Sequence, residues 1–419
     1  DTFSSRGLGD VYKRQYKGYM KENLTFDDIN IVPKYSELKS RQDVDLNTNF
    51  TKKTTLHRTP IVAAPMDTIC EYEMANQLLD QGSVGVLHRF RSIEKQAKDM
   101  KRLWTQWDSW YNIGNPKKDR TDHDRIYQEW YKGIRHWNSP PTKSDYEDLE
   151  ELLWFADEAQ KDEDFWSTRP LCAAVGVTGD YMERAQELVN NGCNVLLIDV
   201  AHGHHKLVKD AIRRIKNETN VEVIAGSIAT KESATHLIEW GADALRVGIG
   251  NGSLCETRIR TGVGVPQVSA LIDVCSVADN HSVPVIADGG IRYVGDVAKS
   301  LGLGADSVMV GSLLSGTKET PGEIIKQGEW PNERLYKKYR GSASLDSKSN
   351  RGESGNVEGN SKIVEYKGKV IRIISDIRDG LRSSFSYVGA DNLLDFQAKC
   401  KFVRTTQAGQ VEARPHLLG

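Results

Sequence analysis

Eight short apolar, β-branched runs with helix-patterned segments between them constrain this chain more than any other feature of it. They fall at residues 61–64, 83–87, 171–175, 195–199, 221–225, 244–247, 283–287 and 307–310. Helical patterns follow several of them, at 181–190, 206–216, 231–240 and 294–301. A short apolar run without strict alternation reads as a strand covered on both faces, and a helix between successive strands implies parallel pairing. Eight such units predict an α/β fold of the (β/α)8 TIM barrel type rather than an open doubly wound sheet.

A barrel of this kind carries its chemistry in the loops that follow the strands. The polar and glycine-rich motifs fall there: P-M-D-T after the first strand, H-R-F after the second, D-V-A-H-G-H (199–204) after the fourth and A-G-S-I-A-T (225–230) after the fifth. A-D-G-G-I (287–291) and V-G-S-L (310–313) end the seventh and eighth, where backbone N–H groups of small residues can meet a phosphate. After the sixth comes V-G-I-G-N-G-S-L-C-E-T-R-I-R-T-G-V-G-V-P-Q, residues 247–267, with Cys255 between glycines. Glycine lets such a loop approach a ligand closely, and an exposed thiol held there is placed for attack. A small apolar residue filling a tight turn is the plain alternative, but Ser253, Thr257 and Arg258 beside it have no place in mere packing.

Composition excludes several classes. A net charge of −2 gives no basic footprint for nucleic acid and no polybasic membrane patch, and no apolar run is long enough to span a bilayer. Six cysteines with no pairing or metal spacing suit a reducing cytoplasm. Residues 1–19 lack the apolar core of a signal peptide and read as a non-native or disordered leader, with a natural start near Met20. The barrel's first part then covers 20–100 and its remainder 170–419. Between them, 101–169 holds seven of the nine tryptophans and reads as a helical insertion that packs its own aromatics. Residues 342–362, rich in Ser, Gly, Asn and Lys, read as a flap, because patterned sequence resumes at Ile363.

The motifs G-x-G-x-G-S-x-C-x-T-R, I-A-D-G-G-I, V-M-V-G-S-L and Y-x-x-Y-x-G-S together resemble the IMP dehydrogenase/GMP reductase family, from about Leu24 to His416 apart from the insertion. The resemblance implies a barrel, usually tetrameric, that binds a purine nucleoside monophosphate and a nicotinamide dinucleotide. It makes Cys255 the nucleophile toward purine C2. Ser253, Gly290, Gly311, Ser312 and Tyr339, with Gly341 and Ser342 of the last motif, would hold the nucleotide's phosphate end, and Asp288 the ribose hydroxyls. Asp199 would face the nicotinamide, unless it merely caps the following turn, and Ser227 stands at a cofactor position where asparagine is usual. The carbonyls of Gly250, Gly252 and Cys255 match those that hold a monovalent cation, potassium, in the dehydrogenases. His202 and His204 invite a metal reading, but no acidic or cysteine partner is spaced to complete a site, so they read as solvent-facing or loop-packing.

The family runs two reactions. Dehydrogenases oxidise IMP with NAD and hydrolyse the covalent intermediate; reductases expel ammonia from GMP and reduce the intermediate with NADPH. Hydrolysis needs a base, an Arg-Tyr pair on the flap of the dehydrogenases, and no Arg-Tyr dipeptide lies between Ser344 and Lys367. Residues 356–368 and Arg260-Thr261-Gly262 resemble the reductases, and the two-module insert common in dehydrogenases is missing. Residues 176–185 and 402–409 resemble the dehydrogenases instead. The balance favours GMP reductase, with Thr257 and Glu319 serving the departing amine; Glu323 is the rival to Glu319, and a surface ion pair its plain alternative. The remaining readings are IMP dehydrogenase and a purine nucleotide-binding barrel without turnover, though binding alone has no use for the cysteine loop. Because the insertion joins the barrel at one edge, replacing 106–164 by a short Gly/Ser linker should leave a folded, active enzyme, checked by circular dichroism and turnover; a folded but inactive product would assign the insertion a regulatory or assembly role.

Overall fold

In the computed structural model, which describes residues 22–114, 169–329, 331–342, 344 and 359–413, all eight apolar runs are strands. They are β1 (Ile61–Ala63), β2 (Val84–Leu87), β3 (Cys172–Val175), β4 (Val195–Ile198), β5 (Glu222–Ile228), β6 (Ala244–Val247), β7 (Val285–Asp288) and β8 (Ser307–Val310). Each pairs in parallel with the next, and β8 returns to β1 with Val308 opposite Ile61, so the sheet closes. The connecting helices are α1 (Tyr72–Asp80), α2 (Ile93–Gly114), α3 (Tyr181–Asn190), α4 (Lys206–Glu218) and α5 (Lys231–Trp240). After β6 come the short α6 (Thr257–Thr261) and α7 (Gln267–Ala278), then α8 (Val294–Gly302).

Closure explains why the runs are apolar on both faces. Alternate residues point inward, where Val62, Val86, Ala174, Leu197, Ile224 and Met309 form one cluster. Their neighbours Ile61, Leu87, Ala173, Leu196 and Val247 point outward and form a second cluster with the helices. A hairpin of Thr48–Asn49 and Thr55–Leu56 seals the barrel's lower end with the fully buried Phe50 and Leu56. The hairpin also satisfies the buried Glu222 at the start of β5, whose carboxylate accepts the Thr51 hydroxyl and the Lys53 N–H.

The fifth strand differs from the sequence expectation of 221–225. It continues to Ile228, with a register shift between Gly226 and Ile228 against β6, so Ser227 is part of the strand and not of the loop after it. Glycine and serine at a strand's end read as loop because they are poor strand formers; pairing with β6 overrides that weak preference.

Beyond β8 the chain forms a small antiparallel sheet of β9 (Ile325–Gln327), β10 (Arg334–Arg340) and β11 (Ser361–Glu365), with β10 in the middle. The flap joins β10 to β11, and Lys362 belongs to β11, opposite Tyr339. Helices α9 (Val370–Val388) and α10 (Leu393–Lys399) close the outer wall, with the rings of Phe385 and Phe396 stacked at 4.0 Å. The leader, most of the insertion and most of the flap lie outside the described residues. Among the described residues no helix is long and apolar enough to cross a membrane.

One carboxyl couples this frame to pH. Asp306, just before β8, accepts the Val285 N–H at 2.8 Å, and burial pushes it from 3.8 up to about 7, with Asp279 adding and the backbone bond opposing. A raised folded value means that its contribution to stability is complete below about pH 4 and is lost as the pH rises through about 7. In urea melts, Asp306→Asn should gain on the wild type between about pH 5 and about pH 8; a pH-independent gap between the two would mean that the carboxyl does not titrate there.

Candidate active site

The loops at the carboxyl ends of the strands enclose a cavity of about 420 Å³. Its wall includes Arg89 and Phe90 after β2, Asp199 after β4, Ser227 of β5, the glycine-rich loop after β6, Asp288 of β7, and Tyr339, Gly341, Ser342 and Gly359 from the sheet and flap ends.

The loop after β6 is built from two glycine-dependent turns. Gly248 has φ +151°, and a Cβ there would lie 1.9 Å from the Asp288 carbonyl oxygen; Gly250 has φ +80°. Its ends are stitched together. The Asn251 amide donates to Gln267 Oε1, Gln267 Nε2 donates to the Val247 carbonyl at 2.8 Å, and Arg258 Nη2 to the Val265 carbonyl at 2.7 Å. This presents Cys255, half-exposed, with its thiol donating to Thr257 Oγ1 at 3.1 Å. The cysteine N–H closes a turn onto the Gly252 carbonyl at 3.1 Å.

Arg246 is the residue that sequence reasoning missed. It sits on β6, 5 % exposed, where a run of small and apolar residues gave no sign of a functional cation. Its Nη1 donates to Asp199 at 3.2 Å and its Nη2 to the Val200 carbonyl at 3.1 Å, while Nε lies 3.8 Å from Asp288 with no hydrogen-bond partner among the described residues. Arg89 Nε approaches Asp199 from the other side at 3.6 Å. Asp199 thus serves an ion network on the cavity wall. Burial pushes the Asp288 carboxyl above the ordinary range, against the pull of Arg246, and the Asp199 charge adds to the rise.

Tyr339 is buried with its phenol 3.1 Å from Ser253 Oγ, and Gly311 lies against the same phenol. Arg340 grips Asp67 with two nitrogens, at 2.7 and 3.1 Å to one carboxylate oxygen, which ties β10 to the loop after β1. Gly290, Gly311 and Ser312 stand behind the wall without lining it. Lys367 donates to the Ser312 and Leu313 carbonyls at 3.0 Å, a cation beside these residues that the sequence did not flag. Glu319 does not line the cavity either; its carboxylate accepts the Val370 N–H at the start of α9, at 2.8 Å.

The flap is pinned at its neck. Gly359 bridges both Ser344 and Cys255, and the Asn360 N–H donates to the Leu254 carbonyl at 3.1 Å. Lys348 and Arg351 of the flap lie outside the described residues. His202 is exposed, and His204 packs against His236 and Trp240. His204 meets Glu232 and His236 of α5, acidic and imidazole partners that lie far along the chain, where local spacing does not reveal them.

Compared with known proteins, the chain matches the family described as IMP dehydrogenase / GMP reductase domain over residues 23–416. It is 34 % identical over 476 residues to an inosine-5′-monophosphate dehydrogenase of Nitrosopumilus maritimus, covering 94 % of this chain and 98 % of that protein. It is 36 % identical over 411 residues to the enzyme of the same name from Borreliella burgdorferi, covering 94 % and 97 %. Among solved structures, it resembles a cysteine-to-alanine variant of GMP reductase from Trypanosoma brucei, in complex with guanosine 5′-monophosphate. The TM-score is 0.79 and the identity 30 %, over 96 % of this chain and all of that one.

Four of the six cysteines are buried, and burial pushes their thiols up; the half-buried Cys400 is pushed up to about 12. Iodoacetamide should therefore modify Cys255 first, and a purine monophosphate should slow it, as read by peptide mass spectrometry. Preferential labelling elsewhere would remove Cys255 as the accessible nucleophile.

Proposed function

The chain belongs to the IMP dehydrogenase/GMP reductase family of NAD(P)-dependent purine nucleotide oxidoreductases, and within it we propose that it is a GMP reductase. The observation that carries this reading is the flap. Hydrolysis of a C2 intermediate calls for a base, and the residues between Ser344 and Lys367 contain no Arg-Tyr pair to serve as one. The flap's neck also sets Gly359 directly beside Cys255.

GMP would lie with its phosphate toward Ser253, Tyr339, Gly341 and Ser342, backed by Gly290, Gly311 and Ser312. Its ribose hydroxyls would meet Asp288, which Arg246 backs at 3.8 Å. Cys255 Sγ then bonds to C2 as its proton is relayed through the Thr257 hydroxyl to the departing N2, and the C2–N2 bond breaks with the nitrogen leaving as ammonia. Glu319 supplies a proton for that departure in this reading, although its carboxylate also caps α9. The dinucleotide, when bound, supplies hydride to C2, and Cys255 departs as thiolate. Asp199 and Ser227 line the cavity away from the phosphate end and would flank the nicotinamide, with Arg89 fixing Asp199. GMP, NADPH and two protons give IMP, ammonium and NADP. Carbonyls of Gly250, Gly252 and Cys255 would hold a monovalent cation; that of Gly252 already accepts the Cys255 N–H and has one lone pair left.

IMP dehydrogenase stays as the second reading, because both relatives named above carry that activity. The Borreliella protein also removes one argument for the reductase. It matches nearly end to end over 411 residues, so a dehydrogenase of about this chain's length exists, and a missing two-module insert does not separate the reactions.

A paired assay separates them. We expect sustained NADPH consumption with GMP and release of ammonia, and with IMP and NAD at most one burst of NADH, since general-base help is worth roughly 10²–10⁴-fold. Cys255→Ala should abolish both while nucleotide binding survives. Glu319→Gln keeps an oxygen for the Val370 N–H, so it should lose ammonia release and retain the burst; unimpaired release would confine Glu319 to capping. Sustained formation of XMP from IMP would establish the dehydrogenase.

A further inference from the structure

We propose that His204, Glu232 and His236 form a binding site for a divalent transition metal ion, of which zinc is the type, on the barrel rim behind the cofactor end of the cavity. The inference holds whichever of the two reactions the enzyme runs. One donor atom from each of the three lies within 4.8 Å of those of the other two, and His204 Nε2 stands 2.7 Å from His236 Nδ1. Glu232 and His236 are four apart on α5, hence on one helical face; His204 comes from the loop after β4.

Both halves hang on the same strand, which makes the site preformed. The Gly203 N–H donates to the Ser227 carbonyl at 2.7 Å, and a Cβ on Gly203 would lie 2.7 Å from the Gly226 carbonyl carbon, so the His204 loop is laid directly on β5. Helix α5 follows β5 after two residues, its first turn fixed by Thr230 Oγ1 accepting the Ser233 N–H at 3.2 Å. Trp240 orients the rings, with its centroid 5.9 Å from both imidazoles.

Two imidazoles and a carboxylate are a recognised donor set for zinc, with a position left for water. Zinc–ligand bonds of about 2.0–2.2 Å put tetrahedral donors roughly 3.3 Å apart. The imidazole pair would therefore open by about half an ångström, and the exposed Glu232 would swing inward. The ion would clip α5 to the segment that carries the cavity-lining Asp199, Val200 and Ala201. A proton shared between the imidazoles explains their contact but gives Glu232 no role.

Full-length protein stripped by a chelator is titrated with Co²⁺ and, separately, Zn²⁺, alongside His236→Asn, His204→Asn and Glu232→Gln. The wild type should take up one more equivalent of Co²⁺ than the histidine variants, with ligand-field absorption and no thiolate charge-transfer band from that equivalent. Its affinity should fall in each histidine variant by more than the roughly 10–100-fold that a merely orienting partner costs, and Zn²⁺ should raise the Tm of the wild type alone. Matching Tm values without metal show that the variants fold. Equal uptake and equal Zn²⁺ response across the set would leave only a hydrogen-bonded imidazole pair and overturn the site.

Discussion

The guanidinium of Arg246 is the interaction on which the site's geometry rests. It rises from β6 into the barrel mouth, nearly without exposure, and reaches the loop after β4 and the end of β7 at once. A buried cation is tolerated only when carboxylates and carbonyls surround it, and removing one partner of such a pair costs roughly 3–5 kcal/mol. Asp199 and Asp288 are therefore held in fixed positions on either side of the cavity. The Nε lies 3.8 Å from Asp288, so one guanidinium orders the walls on both strands at once.

Around that cation, the surrounding loops are tied by side chains and backbone bonds of their own. The glycine loop is tied at both ends by Gln267 and Arg258. The sheet that carries Tyr339 is tied by the Arg340–Asp67 pair. The described neck of the flap pairs by backbone, where Gly359 meets Cys255 and Ser344. A nucleophile needs a fixed position relative to the atom it attacks, and the thiol has it.

The barrel was legible because closure imposes two-sided burial on every strand, and two-sided burial leaves runs such as 195–198 with no polar interruption. Cys255, Ser253 and Asp288 were legible because chemistry on this fold follows the strands. Arg246 was not, since an arginine within a strand reads as an outward-facing residue until the direction of the side chain is known. Glu319 illustrates the reverse: its motif was plain, yet its helix-capping bond to Val370 follows only from where α9 begins. The end of β5 was misread by three residues because pairing with β6 outweighs the poor strand propensity of Gly226 and Ser227.

What the sequence determined by itself was periodic or adjacent: eight strands, their helices, and a cysteine with a threonine two residues on. Those properties act over one turn or one pleat, so they are written in neighbouring residues. What the tertiary structure alone decided was convergent: Arg246 between two aspartates, Gly359 against Cys255, and His204 meeting Glu232 and His236. Groups drawn from different βα units are brought within a few ångströms by the closing of the sheet. No spacing along the chain encodes that distance, because the barrel's curvature sets it.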